Sequence, residues 1–193
     1  MKILFWAVDC QNDFMNKDGA LYVEGAEAIK SNLKKLTSIA INYNIPVVNT
    51  RDWHEATDEE LSETPDFINT FPKHCMKDTK GAEFIKEITP IYGNTVVINK
   101  NKFDVFTGSK NTEKILKDIN PNIVVVYGVA TNVCVNFAIL GLVGRGYKVI
   151  VVYDAIKELP NLPVNEIYKD WKTKGVTFEI TADIEKIIKY WKI

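Results

Sequence analysis

Cys134 ends the run Gly128-Val-Ala-Thr-Asn-Val-Cys134 and stands in the first turn of a stretch with helical period, Asn132 to Val143. Free backbone N–H groups and the helix dipole at such a start favour the thiolate, the form in which cysteine is a nucleophile. A nearby ammonium, for which Lys100 is the candidate, would favour it further. Asp9 could hold that lysine, take the thiol proton and return it to a leaving group. The N–H groups from Ala130 to Cys134 would then face the position where an oxyanion develops. A second constellation lies in the middle of the chain. Asp52 and His54 are two residues apart, and His74 follows in Phe71-Pro-Lys-His-Cys75; the chain has only 2 histidines. One carboxylate and two imidazoles suit Zn²⁺, Fe²⁺ or Mn²⁺, with positions left over for water or substrate. Cys75 is set aside as a ligand because adjacent side chains on an extended segment point apart.

Each of these residues also has an ordinary reading. A cysteine beside an apolar strand is often an inert core residue, and an aspartate at a strand end often forms a turn or cap. Lys100 lies in the polar run Asn99-Lys-Asn-Lys102, which reads as a solvated loop. Asp-x-His is a short and common pattern, and both histidines could sit at the surface. No single residue decides between the readings, so the elements that would gather them matter.

Six short apolar runs recur: Ile3–Val8, Pro46–Asn49, Thr95–Ile98, Ile123–Val126, Lys148–Tyr153 and Val176–Ile180. They are continuously apolar, as strands covered on both faces should be. Stretches of helical period separate them: Ala26 to Asn42, Asn111 to Ile119, Asn132 to Val143, Pro163 to Lys174 and Asp183 to Tyr190. Gly144 and Gly146 should close one helix and Gly175 another, in left-handed conformation. The alternation predicts a three-layer α/β/α domain with a mostly parallel six-stranded sheet, one domain over residues 1–193. Ligands of such sheets bind beyond the carboxyl ends of the strands. That is where Asp9, Arg51 to His54, Lys100 and the Cys134 run all fall. The long polar stretch from Thr50 to Lys80 is expected to be a functional loop.

Composition excludes several classes. Twenty-four Lys and Arg against 25 Asp and Glu give a net charge of -1, which offers no positive field for nucleic acid or anionic lipid. No apolar run reaches the ~18 residues of a membrane span. Asp9 and Asp13 follow the first apolar run too closely for a signal peptide. The 3 cysteines show no paired spacing, and a reducing, cytoplasmic setting is expected. A dinucleotide fingerprint should follow the first strand, but that turn reads Asp9-Cys-Gln-Asn-Asp13 without glycine.

Taken in order, these segments resemble the isochorismatase-like cysteine hydrolase superfamily and, within it, the nicotinamidases. The resemblance is carried by Val8-Asp-Cys-Gln-Asn-Asp-Phe14 with Gly19-Ala-Leu21, Thr50-Arg-Asp-Trp-His54, and Phe71-Pro-Lys-His-Cys75 with Gly81-Ala-Glu-Phe84. It continues through Lys100 before Phe103-Asp-Val-Phe106, Tyr127 to Val135, and Asp154-Ala155. It implies strand order 3-2-1-4-5-6, a triad of Asp9, Lys100 and Cys134, and an oxyanion hole from the N–H groups of Ala130 and Cys134. It also implies a cis peptide between Val129 and Ala130. It further implies a divalent metal on Asp52, His54 and His74, zinc first with iron or manganese as alternatives. The ring nitrogen of a small amide substrate would bind that metal, and the protein would form a homo-oligomer. Phe14, Leu21, Trp53, Phe71 and Val129 are the expected substrate contacts.

Three positions depart from the pattern. Asn132 stands where the family usually has an acid, Asp104 where it commonly has serine, and Glu55-Ala-Thr-Asp-Glu-Glu-Leu-Ser62 replaces a segment containing His and Ser. The last change predicts an acidic pocket rim. The expected activity is hydrolysis of a small primary amide, nicotinamide or a relative, through a thioester. Hydrolysis of an N-carbamoyl amide or an isochorismate-type substrate, and a non-catalytic binding protein, are the competing readings.

Overall fold

The computed structural model describes residues 1–89, 93–160 and 163–192. Its sheet has six strands: β1 (Ile3–Val8), β2 (Val47–Asp52), β3 (Thr95–Lys100), β4 (Ile123–Val129), β5 (Lys148–Lys157) and β6 (Thr177–Glu179). Their order is β3-β2-β1-β4-β5-β6, and every neighbouring pair is parallel. Three short helices, α1 (Asn12–Met15), α3 (Val105–Gly108) and α4 (Thr112–Ile119), accompany the longer α2 (Lys30–Asn42), α5 (Asn136–Gly144), α6 (Asn165–Thr173) and α7 (Thr181–Lys192).

The continuous apolar runs are explained by the two cores they serve. Alternate residues of β1 point to opposite faces, so Ile3, Phe5 and Ala7 pack with Leu33, Leu36 and Ala40 of α2 and Ile184 and Ile188 of α7. Leu4, Trp6 and Val8 pack on the other face with Leu116 of α4, Ile139 and Leu142 of α5, and Trp171 of α6. A strand polar on either face would leave one helical layer without a partner. Among the described residues, no helix is long and apolar enough to cross a membrane.

Four strands run further than their apolar runs. The hydrogen-bond ladder does not depend on side-chain polarity, and at the rim the polar residues find one another across it: Asp52 of β2 is the register partner of Lys100 of β3. Two helix starts also differ from expectation. A 3₁₀ turn (Ala26–Ile29) precedes α2, and a π-helical turn (Thr131–Val135) carries Cys134 before α5 begins. Gly146 and Gly175 adopt left-handed conformations, with φ of 83° and 82°. Gly144 does not; it is the last residue of α5.

Gly128 is the glycine on which the rim depends. It pairs with Val8 at φ 119°, and a Cβ there would lie 2.1 Å from the Val8 carbonyl oxygen. Backbones of β1 and β4 can approach this closely only without a side chain. Gly128→Ala is therefore expected to cost about 3 kcal/mol or more in a urea melt, since both the backbone conformation and the strand spacing must give. A midpoint unchanged from wild type would show that the ends of β1 and β4 relax freely.

Candidate active site

β1, β3 and the turn after β4 bring three buried groups together. The Lys100 ammonium lies 2.9 Å from Asp9 Oδ2 and 3.5 Å from Cys134 Sγ, and it also donates to Asp52 Oδ1. Asp9, at φ 49°, is fixed by the Thr50 hydroxyl, which donates to its Oδ1 at 2.7 Å. Burial opposes the charge on Lys100, yet Asp52 and Asp9 outweigh it and hold the amine firmly protonated. Burial raises the Asp9 carboxyl against the pull of Lys100, with Asp52 adding to the rise. The Cys134 thiol also moves up, not down as a helix start alone would suggest. Its burial dominates, Lys100 offsets only part of that, and the charges of Asp9 and Asp52 add to it. The peptide between Val129 and Ala130 is cis, as the resemblance implied.

Asp52 joins this cluster to a second one. Its Oδ2 lies 3.9 Å from His54 Nε2 and 3.6 Å from His74 Nε2, and all three side chains are buried. Each imidazole is turned by a partner on its other nitrogen. His54 Nδ1 is 3.2 Å from Asp58 Oδ2, and His74 Nδ1 is 2.7 Å from the Pro72 carbonyl oxygen. Both partners accept hydrogen bonds, so Nδ1 carries a proton in each ring and Nε2 is turned toward Asp52. His54 Nε2 is buried without a hydrogen-bond partner. One ligand atom from each of the three residues lies within 4.8 Å of the others, a grouping able to hold a divalent metal. The atoms of Asp9, Asp52 and Cys134 cluster as closely, but the Lys100 ammonium already occupies that centre.

A narrow cavity opens over both clusters. Asp9, Asp52, His74 and Cys134 line it together with Phe14, Leu21, Val23, Phe71, Phe103, Val129, Ala130, Val133 and Leu159. Four of the five expected substrate contacts are therefore here, and Trp53 is not. Its indole points to the opposite side, under the Arg51 guanidinium, whose central carbon is 3.8 Å from the ring centroid. The rim is not acidic either. No residue of the 55–62 segment lines the cavity among the described residues. Glu55 and Glu59 face outward to Lys77 and Lys102, while Asp58 and Glu60 turn inward behind the histidines. Glu60 Oε1 accepts the N–H of Phe103 at 2.8 Å, and burial pushes its carboxyl up to about 7. Asp104 caps α3 by accepting the Phe106 N–H.

Several supporting residues escaped the sequence reading. The buried Gln11 amide donates to the Asp52 carbonyl at 2.8 Å and accepts the Asp52 N–H at 2.7 Å, which fixes the strand end that presents the carboxylate. Asp13 accepts the N–H of Cys75 at 2.7 Å and so anchors the turn that carries His74. Both lie in the Asp9-Cys-Gln-Asn-Asp13 run, where two amides and two acids in a first turn were the available signal. Cys10 and Cys75 are buried, with thiols raised chiefly by that burial, which suits structural residues.

Comparison with known proteins agrees with this geometry. The family model described as Isochorismatase domain matches residues 3–177. The chain is 28% identical over 154 residues to a nicotinamidase/pyrazinamidase of Mycobacterium tuberculosis, covering 76% of this chain and 82% of the relative. A pyrazinamidase of Pyrococcus horikoshii, solved in complex with zinc, superposes with a TM-score of 0.81 at 26% identity, covering 93% of this chain and 99% of that one. An N-carbamoylsarcosine amidase of Thermoplasma acidophilum gives 0.79 at 28% identity, covering 96% and 99%. With the sheet order, the strand-end cluster and a family match over most of its length, the chain belongs to the isochorismatase family of hydrolases.

Proposed function

We propose that the protein hydrolyses a small, neutral, primary carboxamide, nicotinamide or a close relative, to the carboxylate and ammonia. The observation that carries this reading is the cavity's composition. Cys134 and the Asp52–His74 edge share one apolar chamber, and among the described residues no free cation lines it, Lys100 being held between Asp9 and Asp52. N-carbamoylsarcosine and isochorismate both carry carboxylates, and no side-chain cation among the described residues lining the cavity would meet them. The bound part of the substrate is therefore uncharged and flat enough to pass between Phe14, Phe71 and Phe103.

The chain's own groups supply the steps. Asp9 takes the Cys134 proton, and the sulfur attacks the amide carbon. The oxyanion is received by the N–H groups of Ala130 and Cys134. Asp9 returns the proton to the nitrogen, the C–N bond breaks, and ammonia leaves a thioester on Cys134. Asp9 then deprotonates water, which attacks the thioester carbon; the C–S bond breaks and the thiol is restored. Lys100 remains an ammonium throughout and holds Asp9 in reach of sulfur.

Asp52, His54 and His74 fit a divalent metal. Two imidazoles oriented through their Nδ1 atoms and a buried, unpartnered His54 Nε2 beside the Asp52 carboxylate are a fitting donor set, and it suits zinc. When bound, the ion supplies a Lewis acid for a ring nitrogen and thereby orients the ring. Three free thiols, Cys10, Cys75 and Cys134, favour a reducing compartment such as the cytoplasm.

Product release should be measured across nicotinamide, pyrazinamide, N-carbamoylsarcosine and isochorismate, with and without chelator. Turnover of the first two, lost on chelation, is expected; preference for either carboxylate-bearing compound would overturn the reading. Cys134→Ala is expected to lower kcat by on the order of 10⁴-fold or more while leaving the thermal melt in place. Retained ammonia release would remove Cys134 as nucleophile. Asp58→Asn should weaken metal affinity roughly 10- to 100-fold, because His54 loses the charge that orients it. Titration of the apoprotein with Zn²⁺ would show this, and an unchanged affinity would count against the site.

A further inference from the structure

Asn132 lies two residues before Cys134, within the same π-helical turn Thr131–Val135. Its side-chain amide makes a two-point pairing with a segment 27 residues away. Nδ2 donates to the Leu159 carbonyl oxygen at 3.0 Å, and the Leu159 N–H donates to Oδ1 at 3.0 Å. Leu159 lines the cavity together with Cys134 and Val133. The last ladder pair of β4 and β5 is Val129 with Lys157, so Leu159 lies beyond the point where the sheet holds the chain. Asn132 holds it there instead.

From this we infer that Asn132 is a positioning residue that sets the size limit of the substrate, by pinning Leu159 as a cavity wall to the turn that carries the nucleophile. The inference deepens the proposed function and rests on it for the identity of the substrate, not for the geometry. Only a carboxamide can perform the pairing, since it presents a donor and an acceptor side by side. A carboxylate at the same position accepts from the Leu159 N–H but sets a second acceptor against the Leu159 carbonyl. An acid here would thus free the wall, whereas Asn132 fixes it.

The test uses alkylation of Cys134, which requires no amide turnover. Wild type, Asn132→Asp, Leu159→Ala and the double variant are each treated with iodoacetamide and with a naphthyl-bearing iodoacetamide, and the Cys134 peptide is followed by mass spectrometry. Both reagents meet the same thiolate fraction, so the ratio of their rates reports wall position and not thiol pKa. The preference for the small reagent is expected to fall tenfold or more in Asn132→Asp and in Leu159→Ala. The double variant should be no less selective than Leu159→Ala alone, because the two changes act through one wall. Asn132→Ala, which removes both bonds without adding charge, should reproduce the Asp result if that variant folds poorly. An unchanged ratio in the Asn132 variants, or effects that multiply in the double, would overturn the inference. Failure of nicotinamide turnover in wild type would instead count against the proposed substrate, with the alkylation ratio unaffected.

Discussion

The buried ammonium of Lys100 is the charge around which the rest of this site is arranged. A fully desolvated cation costs several kcal/mol on its own and is tolerated only where partners satisfy it. Asp9 from the end of β1 and Asp52 from the end of β2 provide that, and each is buried in turn. The three strands β3, β2 and β1 are adjacent in the sheet, and the register pairing of Asp52 with Lys100 sets the distance. A slip of one residue in β3 would send Lys100 to the opposite face. Removing Lys100 would leave both buried carboxylates without their cation, at a cost of about 3–5 kcal/mol.

Asp52 makes the catalytic cluster and the metal-binding group one electrostatic unit. One of its oxygens meets Lys100 and the other faces both imidazoles. Burial works against its charge, but Lys100 and the histidines outweigh it and keep the carboxyl well below its usual range. The surrounding polar groups are placed accordingly. Gln11 fixes the Asp52 backbone, Asp58 fixes His54, and the Pro72 carbonyl fixes His74, so each ligand is aimed by a neighbour that does not itself face the cavity.

Much of this was legible in the sequence, for a physical reason. Parallel strands buried on both faces must be apolar along their length, so the polar residues that follow each run mark the rim, and Asp9 and Lys100 lie among them. Trp53 was misplaced although the same rule applied: Asp52 and His54 face inward, so the residue between them faces out. The inward turn of Asp58 and Glu60 was hidden because the acidic run as a whole reads as a pocket rim, and nothing local shows that two of its members turn behind the histidines. The Asn132–Leu159 pairing joins residues 27 apart and leaves no local pattern. The strand order came from family resemblance, since periodicity alone does not rank the strands.

The raised Cys134 thiol follows from counting charge in the cluster. Asp9, Asp52 and Lys100 together carry a net charge of -1 in a buried site, so losing the thiol proton to solvent would bring it to -2. Burial makes that second negative charge expensive, which is why proximity to Lys100 is not enough to produce a resting thiolate. Passing the proton from sulfur to Asp9 leaves the total at -1. The same burial that raises the thiol also raises the Asp9 carboxyl, so donor and acceptor move together and the transfer between them stays within reach. The burial that raises the thiol thus selects an internal base over solvent. That selection explains why the first strand ends in an acid whose backbone is fixed in a left-handed conformation and whose carboxylate is held by Thr50.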